Sequence, residues 1–104
     1  MEENEMEILD KQTGAELTLS LDGRMDSVSA PQLEEKLSNC IERVDSLVLD
    51  FEKLSYISSA GLRVLLGAQK AMNKKGGKVV IRNVNETVMN VFVITEFTDI
   101  LTIE

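Results

Sequence analysis

Short apolar segments alternate with amphipathic helical segments along most of this 104-residue chain, and this alternation constrains its fold more than any other feature. Residues 46–51 contain the uninterrupted apolar run Leu47-Val48-Leu49, and residues 78–82 form a second short apolar run. Such runs are typical of strands in a parallel sheet. Because helical spacing separates these runs, the connections between strands must be crossovers, which are right-handed. The pattern predicts an α/β fold with a partly parallel sheet.

The N-terminal part of the chain predicts a β-hairpin. Residues 15–21 alternate apolar and polar side chains, which indicates a strand with one buried face. Residues 6–9 predict a weak strand before it, with a turn at Gly14. Since a hairpin of this kind needs burial on one side only, we expect a mixed sheet with helices mainly on one face.

A first helix is predicted to follow a turn at Asp22-Gly23 and a polar loop over residues 24–29. Ser29 and Gln32 have the spacing of a capping box, and Pro31 suits the first helical turn. The helix should run to about Arg43. The apolar positions of its buried face, with Cys40 as a small core filler on the flank, are Leu33, Leu37, Ile41 and Val44.

A second helix of about sixteen residues should begin at Ser58-Ser59, after a short connection over residues 52–57, and end at Gly76-Gly77. A third helix should begin at Glu86. Residues 100–103 predict a last, weak strand. Three lysines in the last turns of the second helix have the charge that complements a helix dipole, and they are Lys70, Lys74 and Lys75. The side chain of Asn85 can cap the third helix.

Composition excludes several classes of function. With 18 acidic and 11 basic residues the net charge is −7, so nucleic acid and anionic membranes are poor partners. The chain has no His, which removes Ser-His-Asp catalysis, and its single Cys excludes an internal disulfide. No glycine-rich phosphate loop is present. We therefore predict no catalytic residue, no metal site and no cofactor.

Charge and apolar patterning lead to expectations about location and domain organisation. Residues 1–5 are predicted to form an acidic tail, which is the reverse of a secretory peptide. No apolar run approaches the ~18 residues that span a bilayer. We expect a single domain over residues 1–104, in the cytoplasm and without membrane association. The free domain should be a monomer if Val91 and Val93 are covered.

One segment, residues 55–62, crosses from a strand end to a helix start and carries two interpretations. Ser58 and Ser59 can cap the helix, a role worth ~1 kcal/mol. The same helix start offers free amide donors and partial positive charge, which would hold a phosphate attached to either serine. Gly61 is a poor helix former here. It indicates either close packing inside the domain or close approach by another protein.

Three stretches of this sequence resemble the anti-sigma factor antagonist family, whose fold is the STAS domain. Residues 21–26 (LDGRMD) are similar to the family's L-x-G-x-x-D, and residues 47–57 (LVLDFEKLSYI) to the strand and loop that lead to its site. Residues 58–62 (SSAGL) resemble the family's D-S-S/A-G-L. The order of the elements agrees from about Met6 to Ile103, so the likeness covers nearly the whole chain.

The resemblance implies a regulatory switch and no enzyme. The partner would be an anti-sigma factor of the histidine-kinase-like ATPase fold that acts as a serine kinase, and binding it frees a sigma factor. Phosphorylation separates the pair, and a serine phosphatase resets it. By resemblance Ser59 is the phosphoacceptor, with Ser58 as the alternative. Asp26 would lie beside it, and Ser58, Ala60, Gly61 and Arg63 would form the docking rim.

The chain departs from the family at two places that affect these expectations. The family usually has Asp where this chain has Ser58, which creates the second candidate hydroxyl. Relatives often have Thr-Gly after the third helix, whereas Thr95 is followed by Glu96, which would cost ~1 kcal/mol in a left-handed conformation. A second function also fits this sequence: a STAS interaction module in another signalling or scaffold complex, without a phosphorylation switch.

Overall fold

The computed structural model describes residues 6–104, so the predicted acidic tail lies outside the described part. Four strands and three helices follow one another in the predicted order. Their bounds are β1 Glu7–Thr13, β2 Glu16–Met25, α1 Ala30–Cys40, β3 Ser46–Ile57, α2 Ser59–Lys74, β4 Lys78–Arg82 and α3 Glu86–Ile94. Two 3-10 turns, Ile41–Arg43 and Phe97–Asp99, follow α1 and α3. No helix among residues 6–104 is long and apolar enough to cross a membrane.

The sheet is mixed, as predicted, with the strand order β1-β2-β3-β4. β1 pairs antiparallel with β2, and β2, β3 and β4 are parallel. In this register Leu19, Leu49 and Ile81 lie side by side on one face, and each is fully buried. All three helices contribute to the same core, through Ala30, Leu33, Leu37, Leu62, Leu65, Met72, Val88 and Phe92. This arrangement confirms the prediction of helices mainly on one face.

Strands β2 and β3 are longer than predicted. The turn predicted at Asp22-Gly23 is wrong, because β2 continues to Met25. Gly23 has a φ of 122° and lies where the β2–β3 register shifts. Glycine is therefore required here by an irregularity within the strand and not by a turn. The connection predicted over residues 52–57 is likewise part of β3. The sequence does not reveal the extension of β3 because most of residues 52–57 are polar or exposed. Only Leu54 and Ile57 of this segment are buried in the core.

The predicted capping box before α1 is also wrong. Ser29 occupies the N-cap position, but its side chain makes no cap hydrogen bond. Its buried Oγ donates to the Arg24 carbonyl oxygen at 2.6 Å and accepts from the Asp26 amide at 3.0 Å, so it serves the preceding loop. The Gln32 side chain donates to the Met6 carbonyl oxygen and not to Ser29. Pro31 lies in the first turn, as predicted.

The C-terminal residues form one bridge and not the strand predicted over residues 100–103. Ile103 pairs with Ile81 beside β4, where the Ile81 amide donates to the Thr102 carbonyl oxygen at 2.9 Å. Glu96, two residues after the end of α3, has a φ of 64°, so the left-handed conformation is kept without glycine. The Asn85 side chain caps α3 by accepting from the Val88 amide at 2.8 Å, as predicted. The Asn85 side chain also donates to the Leu54 carbonyl oxygen of β3 at 2.9 Å, and this bond and the ring contact of Phe51 with Phe92, at 6.4 Å between centroids, position α3 on the sheet.

Candidate functional site

The candidate site lies where the two adjacent parallel strands β2 and β3 end. Met25 and Ile57 are register partners there, and both are buried. The Ser58 amide donates to the Met25 carbonyl oxygen at 2.8 Å. This bond joins the turn after β2, which begins with Asp26, to the start of α2. Sequence-distant residues of the predicted site are therefore brought to one end of the sheet.

Ser58 is the N-cap of α2. Its backbone is extended (φ −102°, ψ 177°), its Oγ accepts from the Gly61 amide at 3.4 Å, and its carbonyl oxygen accepts from the Leu62 amide at 2.9 Å. The side chain is half-buried. The capping interpretation is thus confirmed for Ser58, whose hydroxyl already has a structural role.

Ser59 is the first residue of α2, and it is exposed. Among residues 6–104 no hydrogen bond engages its hydroxyl, in contrast to that of Ser58. A helix start leaves amide donors free and carries partial positive charge. The Ser59 oxygen is therefore reachable from solvent and stands where an added anion would be stabilised.

Asp26 lies beside this helix start, and its carboxylate is engaged by its own turn. Oδ1 accepts from the Val28 and Ser29 amides, at 3.0 and 3.1 Å, and from the Ser29 hydroxyl at 3.2 Å. Oδ2 lies 3.9 Å from Nε of Arg24. The Ser29 amide, the Val28 amide, the Ser29 hydroxyl and the charge of Arg24 together lower the pKa of Asp26, against a smaller opposing effect of burial. Asp26 is therefore ionised at neutral pH, in the turn that follows the residue bonded to the Ser58 amide.

Gly61 is buried in the first turn of α2 for a reason internal to the domain. A Cβ at this position would lie 2.8 Å from Cγ1 of Ile57 and 2.8 Å from Sδ of Met25. Internal packing therefore accounts for this glycine, and approach by another protein through Gly61 stays a prediction. Ala60 is half-buried and Arg63 is exposed, and both face the gap between α1 and α2.

Three residues near the site, Arg24, Val28 and Tyr56, are not predicted as site residues from the sequence. The guanidinium of Arg24 lies 4.5 Å from the ring centre of Tyr56, which is its register partner, in addition to its contact with Asp26. Val28 is 71% exposed at the tip of the turn after β2. The sequence signal for Val28 is that it is an apolar residue within the loop predicted to be polar. The Arg24–Tyr56 pair follows from the strand register, which the sequence does not show.

The described residues hold no group of three or more Asp, Glu, Cys or His side chains that could bind a metal ion. The site presents one exposed hydroxyl at a helix start, with Arg24 and the ionised Asp26 in the adjoining strand end and turn and with Arg63 one turn along α2. Such a site is suited to protein contact and to a change of charge.

Comparisons with known proteins agree with the resemblance seen in the sequence. The STAS domain family model matches residues 7–104. The anti-sigma-B factor antagonist of Bacillus subtilis (strain 168) is 34% identical over 93 residues, which cover 89% of this chain and 85% of the relative. The anti-sigma F factor antagonist of Paenibacillus polymyxa is 31% identical over 74 residues, covering 69% and 63% of the two chains.

Solved structures share the fold. The anti-sigma factor antagonist SpoIIAA in its unphosphorylated form superposes with a TM-score of 0.82 at 23% identity, covering 94% of this chain and 88% of the other. For the phosphorylated form of the Bacillus SpoIIAA the TM-score is 0.76 at 22% identity, with 94% and 91% covered. A structure of SLC26A9 contains the same fold, with a TM-score of 0.71 at 15% identity over 82% of this chain and 17% of that chain.

The chain belongs to the STAS domain family, since the family model spans nearly all of it. The curated relatives described above carry names that place them, within this family, among the anti-sigma factor antagonists.

Proposed function

We propose that this protein is an anti-sigma factor antagonist whose partner binding is switched off by phosphorylation of Ser59. The observation that carries the proposal is the exposed hydroxyl at the first residue of α2, which has no hydrogen-bond partner among residues 6–104 and lies beside the turn that holds Asp26. The relatives named above support the coarser part, because their names describe them as anti-sigma factor antagonists. The unmodified serine would contact the anti-sigma factor, and a sigma factor would be released.

The physical basis of the switch is local electrostatics. Phosphorylation adds about −1.5 to −2 charges at neutral pH. The added group would lie near the turn that holds the ionised Asp26, within a chain that already carries −7. The free amides at the start of α2 can hold the phosphate without refolding. The partner would then meet a solvated dianion in place of a small hydroxyl, and binding would weaken by ~1–3 kcal/mol or more.

The different environments of the two serines favour Ser59 as the acceptor. Ser58 is half-buried and its Oγ accepts from the Gly61 amide, so modification of this oxygen would remove the cap. Ser59 is exposed and its hydroxyl has no such role among the described residues. The acceptor chemistry also requires a nucleophilic oxygen that a kinase can reach.

The proposed partner is an anti-sigma factor of the histidine-kinase-like ATPase fold that is itself the serine kinase, with a serine phosphatase to reverse the modification. The chain itself would have no enzymatic activity and would act in the cytoplasm, where bacterial transcription takes place. Each anti-sigma factor of the source organism can be purified and titrated with this protein by calorimetry. The one that binds is called the cognate anti-sigma factor below, and binding by none of them would contradict the proposal.

The acceptor is tested by phosphorylation. Incubation with the cognate anti-sigma factor and ATP, followed by peptide mass spectrometry, should place one phosphate on Ser59. Ser59→Ala should abolish incorporation, whereas Ser58→Ala should retain it. Incorporation by Ser59→Ala with none by Ser58→Ala would assign the acceptor to Ser58. A phosphate-free peptide with an active kinase would contradict the switch.

The effect of charge is tested by binding. Ser59→Asp should weaken binding to the cognate anti-sigma factor by roughly tenfold or more while the far-UV circular dichroism stays unchanged. Asn73→Asp is the matched control, because it adds the same charge to an exposed position at the other end of α2. Equal affinities of the wild type and Ser59→Asp in calorimetry would rule out the electrostatic switch.

The alternative is a STAS interaction module without a switch. The structure of SLC26A9 supports this alternative, because there the same fold is one part of a larger protein. Binding to a transporter or sensory scaffold protein, with the same affinity before and after treatment with serine kinases, would support this alternative.

A further inference from the structure

A groove runs between α1 and α2 and begins beside the candidate site. It consists of two adjoining hollows of about 370 and about 300 Å³ that share Glu34, Arg63 and Val64 as walls. The buried side chains of Leu37 and Ala68 line the larger hollow. The groove extends along α2 from Ala60 to Ala71, about 16 Å at the usual helical rise, or three turns.

Gly67, in the middle of α2, is the least explained residue of this groove. Glycine inside a helix costs about 1 kcal/mol relative to alanine. At Gly61 packing requires it, because a Cβ would lie 2.8 Å from Met25 and Ile57, but at Gly67 a Cβ would meet nothing within 4 Å. The fold of the free domain therefore does not need glycine at position 67. Its exposed backbone permits a close approach by a second molecule.

The charges along the groove indicate what kind of molecule this is. Glu34 and Glu42 line its walls together with one basic residue, Arg63, while Lys75 Nζ is held on the backbone carbonyl oxygens of Ile41 and Glu42. A second copy of this chain would bring another −7 charges and would be repelled. An apolar segment that carries a basic residue would instead satisfy both the apolar floor and the acidic wall.

We propose that the α1–α2 groove receives an apolar helix with a basic residue, presented by the same anti-sigma factor that contacts Ser59. This inference rests on the proposed function and extends its interface from the start of α2 to Ala71. An amphipathic helix lying in a groove between two helices places residues at i, i+3 or i+4 and i+7 on the floor. Its side chains would rest on Leu37 and Ala68, and its backbone would approach Gly67.

Filling the groove tests the inference. Gly67→Leu should weaken binding of the cognate anti-sigma factor, measured by calorimetry, by roughly tenfold or more. The free domain should unfold at the same or a higher temperature, because leucine is a better helix former and a Cβ fits at this position. Lys70→Leu is the matched control, since Lys70 is exposed on the same helix outside the groove. It should bind as the wild type does.

The outcomes separate this inference from the proposed function. If Ser59→Asp weakens binding and Gly67→Leu does not, the groove assignment is overturned while the switch stands. If Gly67→Leu weakens binding and Ser59→Asp does not, the groove is supported and the switch is contradicted. Self-association of the wild type in sedimentation equilibrium that Gly67→Leu abolishes, with anti-sigma factor binding unchanged, would assign the groove to a second copy and overturn the inference. Binding of no anti-sigma factor would overturn both.

Discussion

At the scale of single residues, Asp26 stabilises the turn that borders the candidate site. Its carboxylate accepts from the Val28 and Ser29 amides and thereby fixes the turn that leaves Val28 pointing outward. Asp26, which the family's motif predicts to neighbour the proposed acceptor serine, therefore has a structural role in this turn. Because replacing Asp26 can also destabilise this turn, its effect on partner binding should be compared with the free energy of unfolding of the same variant.

The lowered pKa of Asp26 leads to a prediction about acid stability. Because the folded state favours the ionised carboxylate, Asp26 adds stability above its ordinary pKa of 3.8, and this contribution is lost as the pH falls through the lowered folded value. Between pH 6 and pH 3 the free energy of unfolding in urea should therefore fall less for Asp26→Asn than for the wild type. Asp22→Asn, which removes an exposed carboxylate from β2, should follow the wild type. An identical fall for Asp26→Asn would contradict the assignment.

At the scale of elements, the helices were predictable and the strand ends were not. Helical spacing and end signals such as Asn85 act within a few residues, so α2 and α3 begin where the sequence indicates. The ends of β2 and β3 depend on their pairing with each other, which the sequence does not reveal. For the same reason the serines at the helix start could be identified from the sequence, whereas the Arg24–Tyr56 contact could not.

Lys75 connects the end of α2 to the turn after α1, a contact that the sequence does not predict. It was expected to complement the dipole of its own helix. Instead its Nζ donates to the carbonyl oxygens of Ile41, Glu42 and Val44, at 2.9, 3.1 and 2.6 Å. It therefore satisfies the C-terminal end of the turn after α1 and ties that turn to the end of α2.

Replacement of Lys75 should consequently loosen the contact between these two ends. We expect Lys75→Met to lower the free energy of unfolding by about 1 kcal/mol, because three carbonyl groups lose a charged donor while water replaces part of it. Lys74→Met, which removes a neighbouring exposed lysine, should change it by less than about 0.5 kcal/mol. Chemical denaturation distinguishes the two. Equal effects would show that the bonds of Lys75 contribute no net stability.

At the scale of the whole molecule, two surface properties govern association. The net charge is −7, and the end of α3 with the turn after it exposes Val93, Ile94 and Ile100 at 57%, 80% and 44%. The expectation of a monomer was conditional on coverage of Val91 and Val93. Val93 is exposed, so this condition is not met. The net charge of −7 is then the property that opposes self-association.

The same charge predicts the salt dependence of partner binding. Acidic surface on this chain should steer a basic partner surface, so the association rate with the cognate anti-sigma factor should fall as sodium chloride is raised. Stopped-flow mixing over a range of about 0.05 to 0.5 M salt, roughly a threefold change in screening length, measures this dependence. The dissociation rate should change much less. An association rate independent of salt would exclude steering.

The two edges of the sheet restrict how any other protein can meet this domain. Along β1 the outward edge carries Glu7, Asp10 and Lys11, all exposed. Beside β4 the C-terminal residues occupy both backbone groups of Ile81. Incoming strands therefore find charged side chains at one margin and an occupied backbone at the other. Strand addition at either edge is therefore disfavoured, and the helices and loops of residues 6–104 are the surfaces open to another protein.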